Sequence, residues 1–406
     1  MALPTDHDTI AGEGHPPLPT LTFRVRLMRP RTLAVRTALL PLAFFAFVSA
    51  ANGADVIKNA AVGTPKIKSI DAVKFAPGGV LLVGDGPGAQ LVAVETGDVK
   101  PKPWKADAKT AKIDEKLASR IGATAKGIEI RGMAVNPASH TAYFVVRKLD
   151  DKKTLILTID GAGEVGEFAL ENVKHVAIPL PKGETAPVSR ITDLAWMGDR
   201  VLVGAVASEE FASKVCSIPA PLDPKGTAIG FSTETYHVAH RKWETKAPMT
   251  SLVPFEANGK KYVVGAFACT PVVRYPLDDV KAGAKVKGES VIELGSGNQP
   301  RTMIAYEKGG KSFVLMNTFR FHHKNKPFGW SPYVTFKMES GLFAENEKLN
   351  EKAILRLTGD KPATDKITMV AEFEGTIHLD KLDKERALVV KEEKEGGLTL
   401  AAIPLP

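Results

Sequence analysis

The sequence predicts an all-β chain folded as a six-bladed β-propeller, with seven blades as the other possible count. Three observations carry that prediction. A strand–turn–strand unit recurs six times along the 406 residues. Each unit is built from aliphatic and β-branched runs of four to six residues, punctuated by Gly, Pro, Asn and Asp. The spacing between units is irregular, which fits blades carrying loop insertions and not a solenoid of strict period.

The first unit is IDAVKFAPGGVLLVGDGPGAQLVAV, from Ile70 to Val94, which reads as three short strands joined by Gly- and Pro-containing turns. Its Val83–Gly88 segment joins two strands, so it is turn chemistry and no phosphate loop. The second unit begins at Ile130, the third at Ile191, the fourth at Met249, the fifth at Pro300 and the sixth at Thr376. Second-strand anchors at Val83, Val146, Val203, Val264, Leu315 and Val389 are spaced 63, 57, 61, 51 and 74 residues apart. Val334–Met338 reads as a late strand of the fifth unit, and the segment after Phe319 is where a seventh blade would hide. Val56–Val62 is expected to add a strand that closes the last blade and removes an open sheet edge. Between the first two units, AKIDEKLASRIG places Ile113, Leu117 and Ile121 on one helical face, which predicts a short amphipathic helix in an inter-blade insertion.

The N-terminus reads as an export signal. Arg29, Arg31 and Arg36 precede the apolar run ALLPLAFFAFV and then small residues, SAANGA. That is a basic region, a core too short to span a bilayer and a cleavage zone. The expected organisation is residues 1–27 as an extension or over-long start, 28–54 as signal peptide, and 55–406 as one propeller domain with no transmembrane span, periplasmic or secreted. The formal charge of +8 is spread among mixed Lys, Asp and Glu, a solvated-surface pattern that argues against nucleic-acid binding. Two cysteines, Cys216 and Cys269, are the candidates for one disulfide in an oxidising compartment. No CxxCH, GxSxG or HExxH is present, and the four Trp do not repeat with the blades. No catalytic residue is assigned.

Aligning the six first strands gives one ring position: Asp71, Gly132, Asp193, Ser251, Thr302 and His378. Two carboxylates, an imidazole and two hydroxyls on one ring suit a divalent cation (Ca²⁺, Mg²⁺, Mn²⁺ or Zn²⁺), with Asp71, Asp193 and His378 as the ligands. The competing reading is a polar, water-filled channel whose side chains pair with each other. Arg131 and Arg301, one residue earlier, suggest an anion-binding mouth, against salt bridges to Asp71 or Asp193. Residues 319–333 form a loop rich in aromatic and basic residues, with His322, His323 and Trp330 as candidate ligand-binding groups. The plainer alternative is an insertion that packs on its own aromatics.

First strands such as SIDAVKFAPGGVLLVGD and RGMAVNPASHTAYFVV, together with CTPVVRYPLDDVKAGAKVKG, resemble exported bacterial β-propeller proteins. That group includes the NHL-repeat and gluconolactonase-like six-bladed families, and the resemblance covers most of residues 66–406. Gluconolactonase-like enzymes hold a divalent cation in the channel with Glu, Asn and Asp. Here the ring lacks the glutamate and the asparagines, so the resemblance implies the fold and not the catalysis. The expected function is a binding module for a small molecule or an exported protein, acting through the channel mouth and the 319–333 loop. The alternative is a metal-dependent hydrolase with its cation in the channel.

Overall fold

The computed structural model describes residues 56–105, 108–238, 240–268, 271–277, 281–294, 297–321, 323, 329–345 and 366–406. The expected extension and signal peptide, along with His322 and Cys269, lie outside the described residues. The described chain forms six sheets arranged as the blades of a propeller, antiparallel except where Lys285–Lys287 pairs parallel with Ile229–His237 in the third blade. The innermost strands are Ala72–Ala76, Ile128–Val135, Val188–Trp196, Met249–Ala257, Asn298–Lys308 and Thr376–Lys381, for blades 1 to 6 in chain order. Tyr333–Glu339 is the third strand of blade 5, pairing with Phe313–Phe319. Among the described residues, no helix is long and apolar enough to cross a membrane.

Blades pack through their faces, and each interface has its own apolar cluster. Blade 1 shares one cluster with blade 3 (Leu82, Ile191, Val203) and another with blade 2 (Val73, Phe75, Tyr143). Blades 3 and 4, 4 and 5, and 5 and 6 pack in sequence. The remaining cluster joins blades 6 and 2 through Leu388, Val390, Phe144 and Val146. The order around the ring is therefore 1, 3, 4, 5, 6, 2, with the first two blades transposed relative to the chain.

Glycine spacing in the first unit explains why blade 3 is the neighbour of blade 1. A Cβ on Gly84 would lie 2.7 Å from Ile191 Cγ2, and one on Gly86 would collide with the Arg190 backbone and the Asp71 carboxylate. The Gly-rich turn is a close-packing surface for the next blade's inner strand.

The transposition requires a crossing. After Gln90–Glu95, the chain runs under blade 2, where Lys102 N donates to Ser139 O (2.8 Å) and Trp104 Nε1 to His140 O (2.7 Å). Asp98 accepts from Ser139 Oγ at 2.6 Å and Tyr143 Oη at 3.2 Å. Lys109–Ala111 then joins blade 6 as its fourth strand, pairing with Leu398–Pro404. The sequence expectation for ring closure is thus corrected. Ala61–Gly63 pairs with Val173–Pro179 on the outer edge of blade 1, and Lys109–Ala111 completes the last blade. The reason is the crossing itself, which delivers a free strand to blade 6 before the N-terminal strand is needed there.

Helix α1 spans Ile113–Arg120, as its periodicity predicts. Ile113 and Leu117 are fully buried in the cluster between blades 6 and 2, with Ile121 packed beside them. Asp114 and Glu115 in the first turn and Arg120 in the last match the helix dipole. A second, shorter helix, α2, spans Gly341–Glu345.

Candidate functional site

The inner strand of each blade is a sheet edge, so alternate N–H and C=O groups face the channel without a ladder partner. In five blades the strand carries a register shift at the residue before the ring position. The shifts fall between Ile130 and Gly132, Ile191 and Asp193, Met249 and Ser251, Pro300 and Thr302, and Thr376 and His378. Gly132, Asp193, Ser251, Thr302 and His378 are therefore structurally equivalent, whereas in blade 1 the ladder runs without a shift and Asp71 just precedes the strand, its N–H donating to Gly84 O at 2.9 Å. A bulge leaves one residue out of the ladder and re-aims its neighbours.

The ring side chains serve that exposed backbone. Asp71 Oδ2 accepts from Ile191 N of blade 3 and from Gly86 N, both at 3.1 Å. Asp193 Oδ2 accepts from Ser251 Oγ (2.7 Å) and Leu252 N (2.9 Å) of blade 4, and Ser251 Oγ accepts from Met303 N of blade 5 at 2.9 Å. In blade 5 the duty passes from Thr302 to Asn317, whose amide donates to Thr376 O and Ile377 O of blade 6 at 3.0 and 2.9 Å. His378 Nε2 lies 3.1 Å from Ile130 O of blade 2. Apart from the Gly86 bond within blade 1, each ties one blade to the next around the ring. Gly132 has no side chain for the remaining contact to blade 1.

Electrostatics follow from this burial. Desolvation pushes the Asp193 carboxyl up against the opposing effect of Lys74 and its hydrogen-bond donors. Desolvation, with help from the Arg301 charge and against the bond to Ile130, lowers His378 to about 4. At neutral pH this ring is held by a neutral imidazole donating to a carbonyl. Among the described residues, the His, Cys, Asp and Glu donors that gather in threes within 4.8 Å are those of His237, His240 and Glu244, far out on blade 3. Asp71, Asp193 and His378 do not form such a set, and their atoms are spent on inter-blade bonds.

Of the sequence-derived ligand residues, Arg131 and Arg301 stand exposed at the ring-end mouth, together with Arg190. None of the three guanidinium groups has a hydrogen bond or ion pair among the described residues, so the expected pairing with Asp71 or Asp193 is not formed. Arg301 is close enough to Tyr333 and His378 to act on both electrostatically. Phe319 packs with Phe321 and Tyr333 at 5.7 and 5.2 Å between ring centroids. Trp330 packs beside blade 6. Its ring packs against Gly375, its backbone N–H donates to Glu374 at 2.6 Å, and Lys394 lies over it. His323 is partly buried. Cys216 is a free thiol, buried in the core between blades 1 and 3.

The other end of the channel holds a cavity of about 670 Å³, lined by the C-terminal halves of all six inner strands. Its walls include Phe75, Val135, Trp196, Leu252, Phe255 and Met303. Lys74 and Asp380 meet at its inner end, with Nζ 2.7 Å from Oδ1 and side chains 23% and 8% exposed. These residues belong to blades 1 and 6, which are not neighbours. Asp380 Oδ2 also accepts from Val135 N of intervening blade 2 at 2.9 Å. Burial works against the charge on Lys74, but the Asp380 and Asp193 carboxylates outweigh it and raise its pKa. At the rim, Asp199 accepts from Lys261 Nζ at 2.7 Å, joining blades 3 and 4. The cavity combines apolar walls, one buried ion pair and a mixed-charge rim. Such an arrangement can hold a compact molecule with an apolar body and hydrogen-bonding groups at one end. Sequence reasoning missed it. The available signal was a pair of opposite charges, Lys74 and Asp380, at inward-facing positions of two inner strands.

No protein-family model matches this chain, and no curated protein matches it in sequence. Among solved structures, it is similar to an endo-arabinase from Bacteroides thetaiotaomicron VPI-5482, at 12% identity and TM-score 0.36, over 68% of this chain and 93% of that one. It is similar to a GH43 β-1,3-galactosidase, solved with galactodeoxynojirimycin, at 10% identity and TM-score 0.32, over 88% and 95%. A protein from Thermus thermophilus described as an oxidoreductase (glucose dehydrogenase) matches at 9% identity and TM-score 0.31, over 86% and 98%. Likeness this distant transfers no residue role or substrate.

Proposed function

We propose that this chain is a binding module that takes a small molecule with an apolar body into the cavity at the strand-end mouth. The observation that carries the reading is the 670 Å³ cavity walled by all six blades. Concave, mostly apolar sites of this size with a few convergent polar groups are where proteins bind small ligands. Phe75 and Trp196 would face the ligand body, and the Lys74–Asp380 pair would offer a donor and an acceptor at the inner end. The hydrolase alternative needs Asp71, Asp193 and His378 to hold a divalent ion. Their engagement in blade-to-blade bonds favours the binding reading. Export is part of the proposal and rests on the basic and apolar segments around Arg29–Val48. N-terminal sequencing of the protein recovered outside the cytoplasm tests it.

A second reading concerns the opposite mouth. Three exposed guanidinium groups, Arg131, Arg190 and Arg301, stand there without ion-pair partners among the described residues. Such groups suit the carboxylate, sulfate or phosphate of a ligand or of an exported partner protein.

The cavity is tested with 8-anilinonaphthalene-1-sulfonate, a fluorescent amphiphile. Saturable one-to-one binding with energy transfer from Trp196 is expected. Ala305→Trp, which fills the cavity from the blade 5 wall, should abolish it. Equal binding by wild type and Ala305→Trp would overturn the assignment.

A further inference from the structure

The outer edge of blade 3 carries a second constellation, unrelated to the channel. Strand Ile229–His237 turns back sharply into Lys242–Glu244, with His237 opposite Lys242 and Thr235 opposite Glu244. Arg241, at φ 54°, takes the left-handed conformation in this turn. His240 N donates to His237 O at 3.1 Å, which folds the turn over the strand end. The two imidazoles therefore stack, with centroids 5.5 Å apart and an interplanar angle of 13°.

Glu244 reaches both rings from the return strand. Its Oε1 is 2.8 Å from His240 Nδ1 and its Oε2 is 3.5 Å from His237 Nδ1. One donor atom from each of the three residues lies within 4.8 Å of the others. His237 is 1% exposed, and neither of its ring nitrogens makes a hydrogen bond among the described residues. A buried imidazole left unsatisfied on both sides is costly and calls for a missing partner. The Glu244 carboxylate alone does not provide it, because at 3.5 Å it is beyond a good hydrogen bond.

We propose that His237, His240 and Glu244 bind one divalent transition-metal ion, with Zn²⁺ the best fit, leaving one coordination position open to water. Two imidazoles and a carboxylate are a donor set that Zn²⁺ takes readily, and hard oxygen-seeking cations do not favour it. With Zn–N and Zn–O bonds of about 2.0–2.2 Å, tetrahedral ligand atoms stand roughly 3.3–3.5 Å apart. The ligand atoms already lie within 4.8 Å of one another, so closing on an ion takes small side-chain movements. The competing cation is the Lys242 ammonium, 3.3 Å from Glu244 Oε1, but its side chain is 64% exposed and can swing into solvent. Coordination through Nδ1 of His237 would remove the buried orphan, and the ion would lock the turn onto the strand end. His240, Lys242 and the open position lie on the outer rim, so the ion would be reachable from solvent.

The test is Co²⁺ binding to the untagged, metal-stripped full chain, followed by the visible d–d absorption of the bound ion. Wild type should take up one equivalent and show the intense bands of four- or five-coordinate Co²⁺, and Zn²⁺ should displace it. His240→Ala and Glu244→Gln, both altered on the partly exposed hairpin, should each weaken binding on the order of tenfold or more. A double variant should lose the bands while keeping the wild-type circular dichroism. His240→Gln serves as the milder replacement if His240→Ala does not fold. His322→Ala/His323→Ala should bind as wild type does. Failure of the wild type to take up one equivalent, or unchanged binding by the double variant, overturns the proposal.

Discussion

Replacing Lys74 by Met removes the one ammonium at the inner end of the cavity and leaves Asp380 without its counter-charge. The pair is 2.7 Å long, and its side chains are 23% and 8% exposed. Breaking a fully buried pair by deleting one partner costs about 3–5 kcal/mol. Two features reduce that figure here. Asp380 keeps two backbone donors, Val135 N and Lys381 N, each at 2.9 Å, and Lys74 is not fully dehydrated. The expected loss is therefore about 2–3 kcal/mol, read as a lower guanidinium midpoint at unchanged m-value. The loss should also depend on pH. The folded-state pKa of Lys74 is raised above the ordinary value of 10.5. Its stabilising contribution is then complete below that value and is lost as pH climbs through the higher folded value. The gap between wild type and Lys74→Met should be constant from pH 7 to 9 and narrow above about 10.5. The double variant Lys74→Met/Asp380→Asn should lose less than the sum of the single losses, because the two charges act on each other. A Lys74→Met protein as stable as wild type at pH 7, with no narrowing in alkali, would refute the reasoning.

Three further outcomes follow from the inter-blade contacts. Gly86→Ala should destabilise by about 1–3 kcal/mol in chemical denaturation, since its Cβ would press on the Arg190 backbone and the Asp71 carboxylate. Because His378 is held at about 4, below the ordinary 6.5, the unfolded chain takes up that proton first, and stability should fall as pH drops from 6.5 towards 4. His378→Gln should flatten that part of the stability profile. Cys216, whose burial pushes its thiol up to about 12, should resist iodoacetamide at pH 8 in the folded protein and react once it unfolds.

Much of the architecture was legible because a propeller blade repeats a local pattern. Period-two alternation and turn residues placed the strands, and Asp193, Ser251 and His378 fall at the same step of their inner strands, just after the register shift, while Asp71 precedes an unshifted strand. The ring order was not legible. Adjacency of blades depends on which faces fit, and the decisive contact is the bare backbone of Gly84 and Gly86 against Ile191 and Arg190. A Gly-rich turn announces close approach without naming the partner. The function of the ring carboxylates was likewise hidden. An Asp at the start of an inner strand looks the same in sequence whether it caps a neighbour's N–H or holds an ion. The cavity escaped notice because Lys74 and Asp380 are 306 residues apart and meet only across the channel. The His237–Glu244 set was written within eight residues, but His-x₂-His-x₃-Glu has no fixed geometry until the hairpin register aligns it.

Ligand occupancy of the strand-end cavity is tested most directly by a thermal-shift screen of small molecules. The screen runs in parallel on wild type, Ala305→Trp and Arg131→Ala/Arg301→Ala. A ligand at about a hundredfold excess over its Kd stabilises the folded state by about 2.7 kcal/mol, a readily measured shift. Ligands should emerge that stabilise wild type and the arginine variant but not Ala305→Trp. Ligands that stabilise Ala305→Trp as fully as wild type, and lose their effect in the arginine variant, would contradict the assignment of the cavity as the binding site.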